Sequence, residues 1–400
     1  MTTSTVEDRA EQIAAAEPTA TFQTDQVFTV AGGHFIHDTY SAFIAPLIPL
    51  LQERLGVGYA GAGSLAIYAQ MPSLLNPFIG YLADRVSLRY FIILAPAVTA
   101  TLMSCMGLTS NYLALAMLML AAGVSMAAFH APAPAMIGRL AGQRTGTGMS
   151  IFMASGELGR TVGPLFVTAG VAWFGLEGIW RLATVGWITS VILYWKLHTV
   201  SARPTGHKNT SLQEWLPLAK RIFPFLAWLM LGRALINASL TTYLPAYMSD
   251  VAQSNLWLAA ASLSILEGAG VVGALFTGTI SDKLGRKRVL GFLLAVAPVL
   301  LLIFLNSPSW LYIPLLILLG LTAISPTPVL MATVQDFFPK HRALSNGSFL
   351  ALNFLIRAFG IWVVGRVGDL SGLPQAYLIS ALVAFISIPA VWMLPEHRPS

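Results

Sequence analysis

Three side chains near the start of the chain have the types and spacing for proton or ion chemistry. His34, His37 and Asp38 stand at i, i+3 and i+4, so a helix through them would present two imidazoles and a carboxylate on one face. Imidazole titrates near neutral pH, and a desolvated carboxylate moves toward the same range, which suits proton carriage. The same groups also suit interhelical hydrogen bonding or metal ligation, and the residue types leave all three open. Further polar groups interrupt later apolar runs: His130, Glu157, Arg160, Arg233, Glu267 and Arg357. Glu157 and Arg160, three residues apart, are expected to pair on one helix. Arg233 and Arg357 have no acid on their own helices, which makes them candidates for holding an anion. Asn237 and Asn353, four residues from those arginines, join the expected substrate-binding set together with Arg160. The alternative is that Asp38, Glu267 or helix carbonyls already neutralise both arginines.

The elements that must position these groups are apolar. Of the 400 residues, 56% are hydrophobic and 10% charged, with a mean hydropathy of +0.70. A soluble domain carries about 25% charged residues, so a lipid bilayer is the expected solvent. Apolar runs fall at about 27–51, 59–83, 90–109, 112–138, 147–173 and 178–197, then 222–249, 256–281, 289–306, 310–335, 345–368 and 374–394. Each is close to the roughly 20 residues that cross a hydrocarbon core of about 30 Å. Twelve transmembrane helices follow, with both termini on one side. The expected domains are a polar cytoplasmic tail at 1–26, a six-helix bundle at 27–197, a cytoplasmic linker at 198–220, a second bundle at 221–395 and a short tail at 396–400. No basic region precedes a short apolar segment, so the first residues read as a tail rather than a cleaved leader.

With an inside amino terminus, 17 of the 23 Lys and Arg fall in cytoplasmic segments. That asymmetry sets the orientation and accounts for the net charge of +6 without nucleic acid. The lone Cys105 permits no internal disulfide. A GxxxxGK[ST] loop is absent, which argues against ATP-driven work, and no HExxH-type motif or soluble catalytic domain supports an enzyme.

The halves are duplicated. Phe152, Arg160 and Gly163 match Phe349, Arg357 and Gly360 at an offset of 197, and His34, Asp38 and Pro46 align with Arg233, Asn237 and Pro245 at 199. A charge in hydrocarbon costs about 2.5–3.5 kcal/mol even on lenient scales, so intramembrane charges should face a cavity. Counted at about 1.5 Å per residue, the polar groups of six spans converge near the membrane centre. A hydrated cavity between two pseudo-symmetric bundles, holding a solute or ion site, is therefore expected. Spans three, six, nine and twelve lack internal charge and are expected to face lipid. Gly159-x-x-x-Gly163-Pro164 and Gly268, Gly270 and Gly273 read as close-packing helix surfaces.

Gly278-Thr-Ile-Ser-Asp282-Lys283-Leu-Gly285-Arg286-Lys-Arg288, with a partial copy at Gly80, Asp84, Arg85 and Arg89, resembles the loop signature of the major facilitator superfamily. Ser87 stands where the first copy usually has glycine. Gly159-x-x-x-Gly163-Pro164 looks like the signature of that superfamily's drug–proton antiporters. His34-Phe-x-x-Asp38, Pro46, Asn76-Pro77, Phe129-His130, Ser150-x-Phe152 and Leu158-Gly159 resemble its fosmidomycin-resistance group, although Ala131-Pro132 replaces the usual Pro-Glu and Glu157 an Asn. The resemblance implies a proton-coupled efflux transporter in which two bundles rock about a central site. His34, His37, Asp38, His130, Glu157 and Glu267 are then the proton-coupling candidates. Asp84 would face the positive end of a helix near Ser345 and hold the cytoplasmic side shut. The expected partners are a small molecule, with anions among the candidates, protons and the bilayer of the inner membrane. The functional unit is expected to be a monomer, with no cofactor beyond the proton gradient. The alternatives are proton-coupled uptake, or an intramembrane metal-binding protein built on His34, His37, Asp38 and His130.

Overall fold

A backbone in hydrocarbon must satisfy every N–H and C=O internally, so a chain this apolar folds as helices. The computed structural model describes residues 21–83, 86–202, 212–338 and 342–394, and no strand occurs among them. The helices form twelve spans. The first half contains Thr24–Ser41 continued by Ile44–Leu55, Tyr59–Gln70 continued by Asn76–Ala83, Arg89–Ser104, Tyr112–His130 continued by Ala133–Ala141, Thr145–Gly178, and Ala183–Leu197. The second half contains Leu212–Thr241, Leu256–Leu284, Arg286–Leu305, Tyr312–Leu319 continued by Pro326–Phe337, Arg342–Ser371, and Leu373–Ala384 continued by Ser387–Met393. Nine helical stretches among the described residues are long and apolar enough to cross a membrane. Arg286–Leu305, with 20 residues, rises about 30 Å, one hydrocarbon thickness.

Proline sets matching breaks in the two halves. The first span breaks after Ser41, and Pro46 can neither donate to the carbonyl of residue 42 nor clear it. Its duplicate Pro245 stands four residues after Thr241, where the seventh helix ends. In the tenth span a widened turn, Gly320–Ile324, precedes Pro326 and Pro328. The seventh helix begins at Leu212, inside the stretch read as a linker. Trp215 explains the extension: its indole packs on Phe223 and Phe338 and donates to the buried Ser345 hydroxyl at 2.8 Å.

The third, sixth, ninth and twelfth spans present Leu94, Ile188, Trp195, Phe292, Ile303 and Leu382 outward. So many large exposed apolar side chains suit a lipid-facing surface. Inside each half, the first span packs on the fifth and the seventh on the eleventh. A Cβ on Gly159 would lie 2.3 Å from the Phe35 carbonyl oxygen, and one on Gly163 2.4 Å from that of Thr39. In the second half a Cβ on Gly360 would lie 2.7 Å from the Ala234 carbonyl oxygen. Glycine at these positions lets the two backbones touch.

The halves meet firmly at the end opposite the basic loops. Asp369, at the end of the eleventh span, accepts from the first two amides of the second span, Tyr59 N at 2.5 Å and Ala60 N at 3.1 Å. A Cβ on Gly58 would lie 2.3 Å from that carboxylate, so glycine is what admits Asp369 to the helix end. Tyr59 Oη donates to Asp250 at 2.7 Å, and Tyr243 Oη donates to the Tyr59 carbonyl at 3.2 Å.

Candidate functional site

Asp38 is the centre of the first half's polar cluster and only 2% exposed. Its Oδ2 lies 3.4 Å from His34 Nε2 and 3.3 Å from Arg160 Nη1, and its Oδ1 lies 3.2 Å from His130 Nε2. The two imidazole Nε2 atoms are 3.3 Å apart. Their far nitrogens are anchored, His34 Nδ1 on the Phe152 carbonyl at 2.7 Å and His130 Nδ1 on the Met126 carbonyl at 2.9 Å. A carbonyl only accepts, so both Nδ1 atoms carry a proton, and both Nε2 atoms face the cluster. Phe152 stacks on His34 with centroids 4.0 Å apart. Arg160 is shared: it also pairs with Glu157 one turn away. That pairing lowers the cost of keeping three charges at this depth.

His37 does not join this cluster. Its fully buried ring stacks on Phe129 at 4.4 Å, and neither nitrogen has an aligned partner, although the Ala95 backbone lies beside it. The sequence puts His34 and His37 on one helix face, but the His37 ring lies between Phe129 of the fourth span and the Ala95 backbone of the third, while His34 turns to Phe152 of the fifth.

The second half answers with a different constellation. Arg233, 4% exposed, donates to the Ala323 carbonyl at 3.0 Å and reaches Thr327 Oγ1 at 3.5 Å. The Asn237 amide is assigned with its oxygen on Arg233 Nη2 and its nitrogen on the Ala323 carbonyl, both at 3.3 Å. Arg233 thus clamps the seventh span to the widened turn of the tenth, its charge met by backbone and amide dipoles. Arg357 is less engaged. It donates to Thr241 Oγ1 at 3.3 Å, and its buried Nε has no partner. Asn353 lies half-buried one turn before it. Glu267, half-buried on the eighth span, makes no hydrogen bond or ion pair among the described residues, and Arg160, Glu157 and Arg357 lie in its electrostatic field. Polar groups from both halves therefore meet between the fifth, eighth and eleventh spans.

The basic turn lies away from this centre. The eighth helix ends at Leu284, and Gly285 takes φ +92°, a conformation that favours glycine, before the ninth begins. Arg286 donates to Asp336 at 3.1 Å and to Ser281 Oγ at 2.6 Å, tying the turn to the tenth span. The backbones of Gly278, Asp282 and Lys283 belong to the last turns of the eighth helix. In the first copy Gly80 lies on the helix ending at Ala83, and Arg89 opens the third span with its guanidinium over Tyr90. Ser87, in the usual glycine position, accepts from the Ala202 amide at 3.0 Å. Asp84 and Arg85 lie outside the described residues, and with them the expected contact near Ser345.

Twelve spans in two matched bundles, with ionisable groups gathered between them, agree with the family whose model matches this sequence, described as "Major Facilitator Superfamily" and matching residues 30–323 and 268–400. The chain belongs to the major facilitator superfamily. It is a multi-pass integral membrane transporter and not an enzyme. The fosmidomycin resistance protein of Escherichia coli is 24% identical over 378 residues, which cover 91% of each chain. The multidrug resistance protein MdtG of Serratia proteamaculans is 24% identical over 391 residues, covering 92% of this chain and 93% of its own. Among solved structures, a bacterial homolog of the human lysosomal transporter Spinster, inward-facing and unoccupied, superposes with a TM-score of 0.78 at 13% identity, covering 96% of this chain and 99% of its own. A D-xylose-proton symporter gives 0.74 at 15% identity, covering 94% and 99%. At such identities these two structures attest the fold alone.

Two features of this architecture were not read from the sequence. Gly156 sits where a Cβ would lie 2.4 Å from His34 Cε1 and 2.5 Å from Nε2, so it makes room for the central imidazole. Its spacing, one turn before Gly159 on the glycine face, was the available signal. Asp369 had none, because its partners Tyr59 and Ala60 lie some 310 residues away.

Proposed function

We propose that this protein is a proton-coupled exporter of small molecules, including anionic ones, working by alternating access between its two bundles. Its relatives carry the names of a fosmidomycin resistance protein and of multidrug efflux pumps, which supports export. The Lys and Arg asymmetry supports basic loops and both termini on the cytoplasmic side of the cell membrane.

The observation that carries the coupling is Glu267. An ionised carboxylate without a partner is costly at the membrane centre, so a proton or a solute group has a strong reason to sit there. Exchange requires that proton and solute exclude one another. A hydrogen-bond donor or cationic group of the solute, placed on Glu267, competes with the proton directly. Protonation alone would strengthen the pull of Arg160 and Arg357 on an anion, which by itself favours co-transport. The exported molecule therefore needs two ends, an anionic or acceptor group for Arg357 and a donor for Glu267. Arg233 and Asn237, clamped to the tenth span, hold that wall of the site in place. No cofactor besides the proton gradient is required.

Purified protein in liposomes, given a pH gradient and a panel of phosphonates, sugars and cationic drugs, tests this reading. We expect solute to move against the proton flow. Glu267→Gln should lose gradient-driven transport while solute exchange without a gradient persists. Solute moving together with protons would make the protein a symporter, and full pH drive in Glu267→Gln would remove Glu267 from the coupling role.

A further inference from the structure

The Asp38 cluster gathers two imidazoles and a carboxylate in loose contact around one point. The separations of 3.3 Å between His34 Nε2 and His130 Nε2, 3.2 Å from His130 Nε2 to Asp38 Oδ1 and 3.4 Å from His34 Nε2 to Asp38 Oδ2 lie at or past the long end of hydrogen-bond distances. Asp38 Oδ1, though buried, has no aligned hydrogen-bond partner. Two Nε2 atoms and a carboxylate that face one another need a cation among them, which a proton or a metal ion supplies. Zinc binds imidazole nitrogen and carboxylate oxygen at about 2.0–2.2 Å. One ligand atom from each of His34, His130 and Asp38 lies within 4.8 Å of the others, which places all three around one ion-sized space.

We infer that His34, His130 and Asp38 form a binding site for a divalent transition-metal ion of the zinc type. The site joins the first span to the fourth. It has the supporting shell such sites need, because each imidazole donates its other N–H to a backbone carbonyl, of Phe152 and of Met126. The Phe152 ring and the space left by Gly156 fix the His34 plane. His130, 37% exposed, provides the way in, while Asp38 and His34 are closed off at 2% and 4%. Arg160, on Asp38 Oδ2, keeps its pairing with Glu157 when a metal takes Asp38 Oδ1. His37, stacked on Phe129, takes no part. The fourth coordination position is left to water or to a solute oxygen. The site is independent of the Glu267 coupling proposed above.

The test uses the full-length protein in detergent, freed of metal by chelation and titrated with Co2+ as a coloured substitute for Zn2+. We expect one equivalent to bind with the intense visible absorption of a tetrahedral N/O site, and Zn2+ to displace it. His130→Ala should weaken Co2+ affinity at least ten-fold, and His37→Ala should leave it unchanged. A second measurement needs no variant: Zn2+ should protect His130, among the seven histidines, from acylating reagents in mass-mapped labelling. Absence of the tetrahedral absorption, equal affinity in well-folded His130→Ala, or unprotected His130 at saturating Zn2+ would each overturn the inference. Binding is read directly, so it stands or fails separately from pH-driven transport.

Discussion

At the scale of single residues, the two arginines that the duplication aligns with other polar groups have parted ways. Arg233 corresponds to His34 by sequence offset, yet it is enclosed and satisfied by Ala323, Thr327 and Asn237. Arg357 corresponds to Arg160 but has no carboxylate on it and keeps a buried Nε unpartnered. A hydrogen bond to a charged group contributes about 1.5–3 kcal/mol, which is about ten-fold or more in affinity. Arg357→Gln should therefore raise the KM for an anionic solute about ten-fold with little change in folding. Arg233→Gln should act chiefly on stability, because it unclamps the seventh span from the tenth. Kinetics in liposomes together with thermal unfolding of both variants checks the division, and the reverse pattern would exchange their roles.

At the scale of elements, glycine decides how closely the first span lies on the fifth. The Cβ built on Gly163 meets the Thr39 backbone oxygen, and backbone cannot rotate away as a side chain can. Overpacking costs about 1–3 kcal/mol where neighbours adjust, so Gly163→Val should cost at least that much in a denaturant titration in micelles. Gly32, on the first span with nothing within 4 Å, is the control: Gly32→Ala should be neutral or stabilising by about 0.5–1 kcal/mol, since alanine is the better helix former. Equal losses at both positions would show that helix contact is not what distinguishes them. The proline breaks belong to the same scale. The run 27–51 reads as one span, and Pro46 divides it at a place its duplicate Pro245 repeats. The break lies just beyond Asp38, so the first span reaches the polar centre as the end of a helix and not its middle.

At the scale of the whole molecule, the two bundles are held at one end by Asp369 acting as a helix cap across the interface. A capping side chain contributes about 0.5–2 kcal/mol, and about 1.4 kcal/mol changes a two-state ratio ten-fold. Asp369→Ala should shift the bundles toward separation at the end opposite the basic loops. Spin-label distances across that end would then lengthen in a larger fraction of molecules. An unchanged distance distribution would mean that Tyr59–Asp250 and Tyr243 suffice to close it.

The sequence by itself determined the solvent, the number of spans and the two-fold repeat. These follow from composition and periodicity, because the cost of polar groups in lipid is read residue by residue along the chain. It also placed Glu157 beside Arg160, since both lie on one helix. Only the tertiary structure decided which of the gathered groups touch. His34 meets His130 from 96 residues away and Asp38 meets Arg160 from 122, while His37, a turn from His34 and adjacent to Asp38, stacks on Phe129 instead. Helix rotation and close approach set those contacts. They depend on where glycines such as Gly156 and Gly163 let a neighbouring helix in, and a one-dimensional pattern does not carry that information.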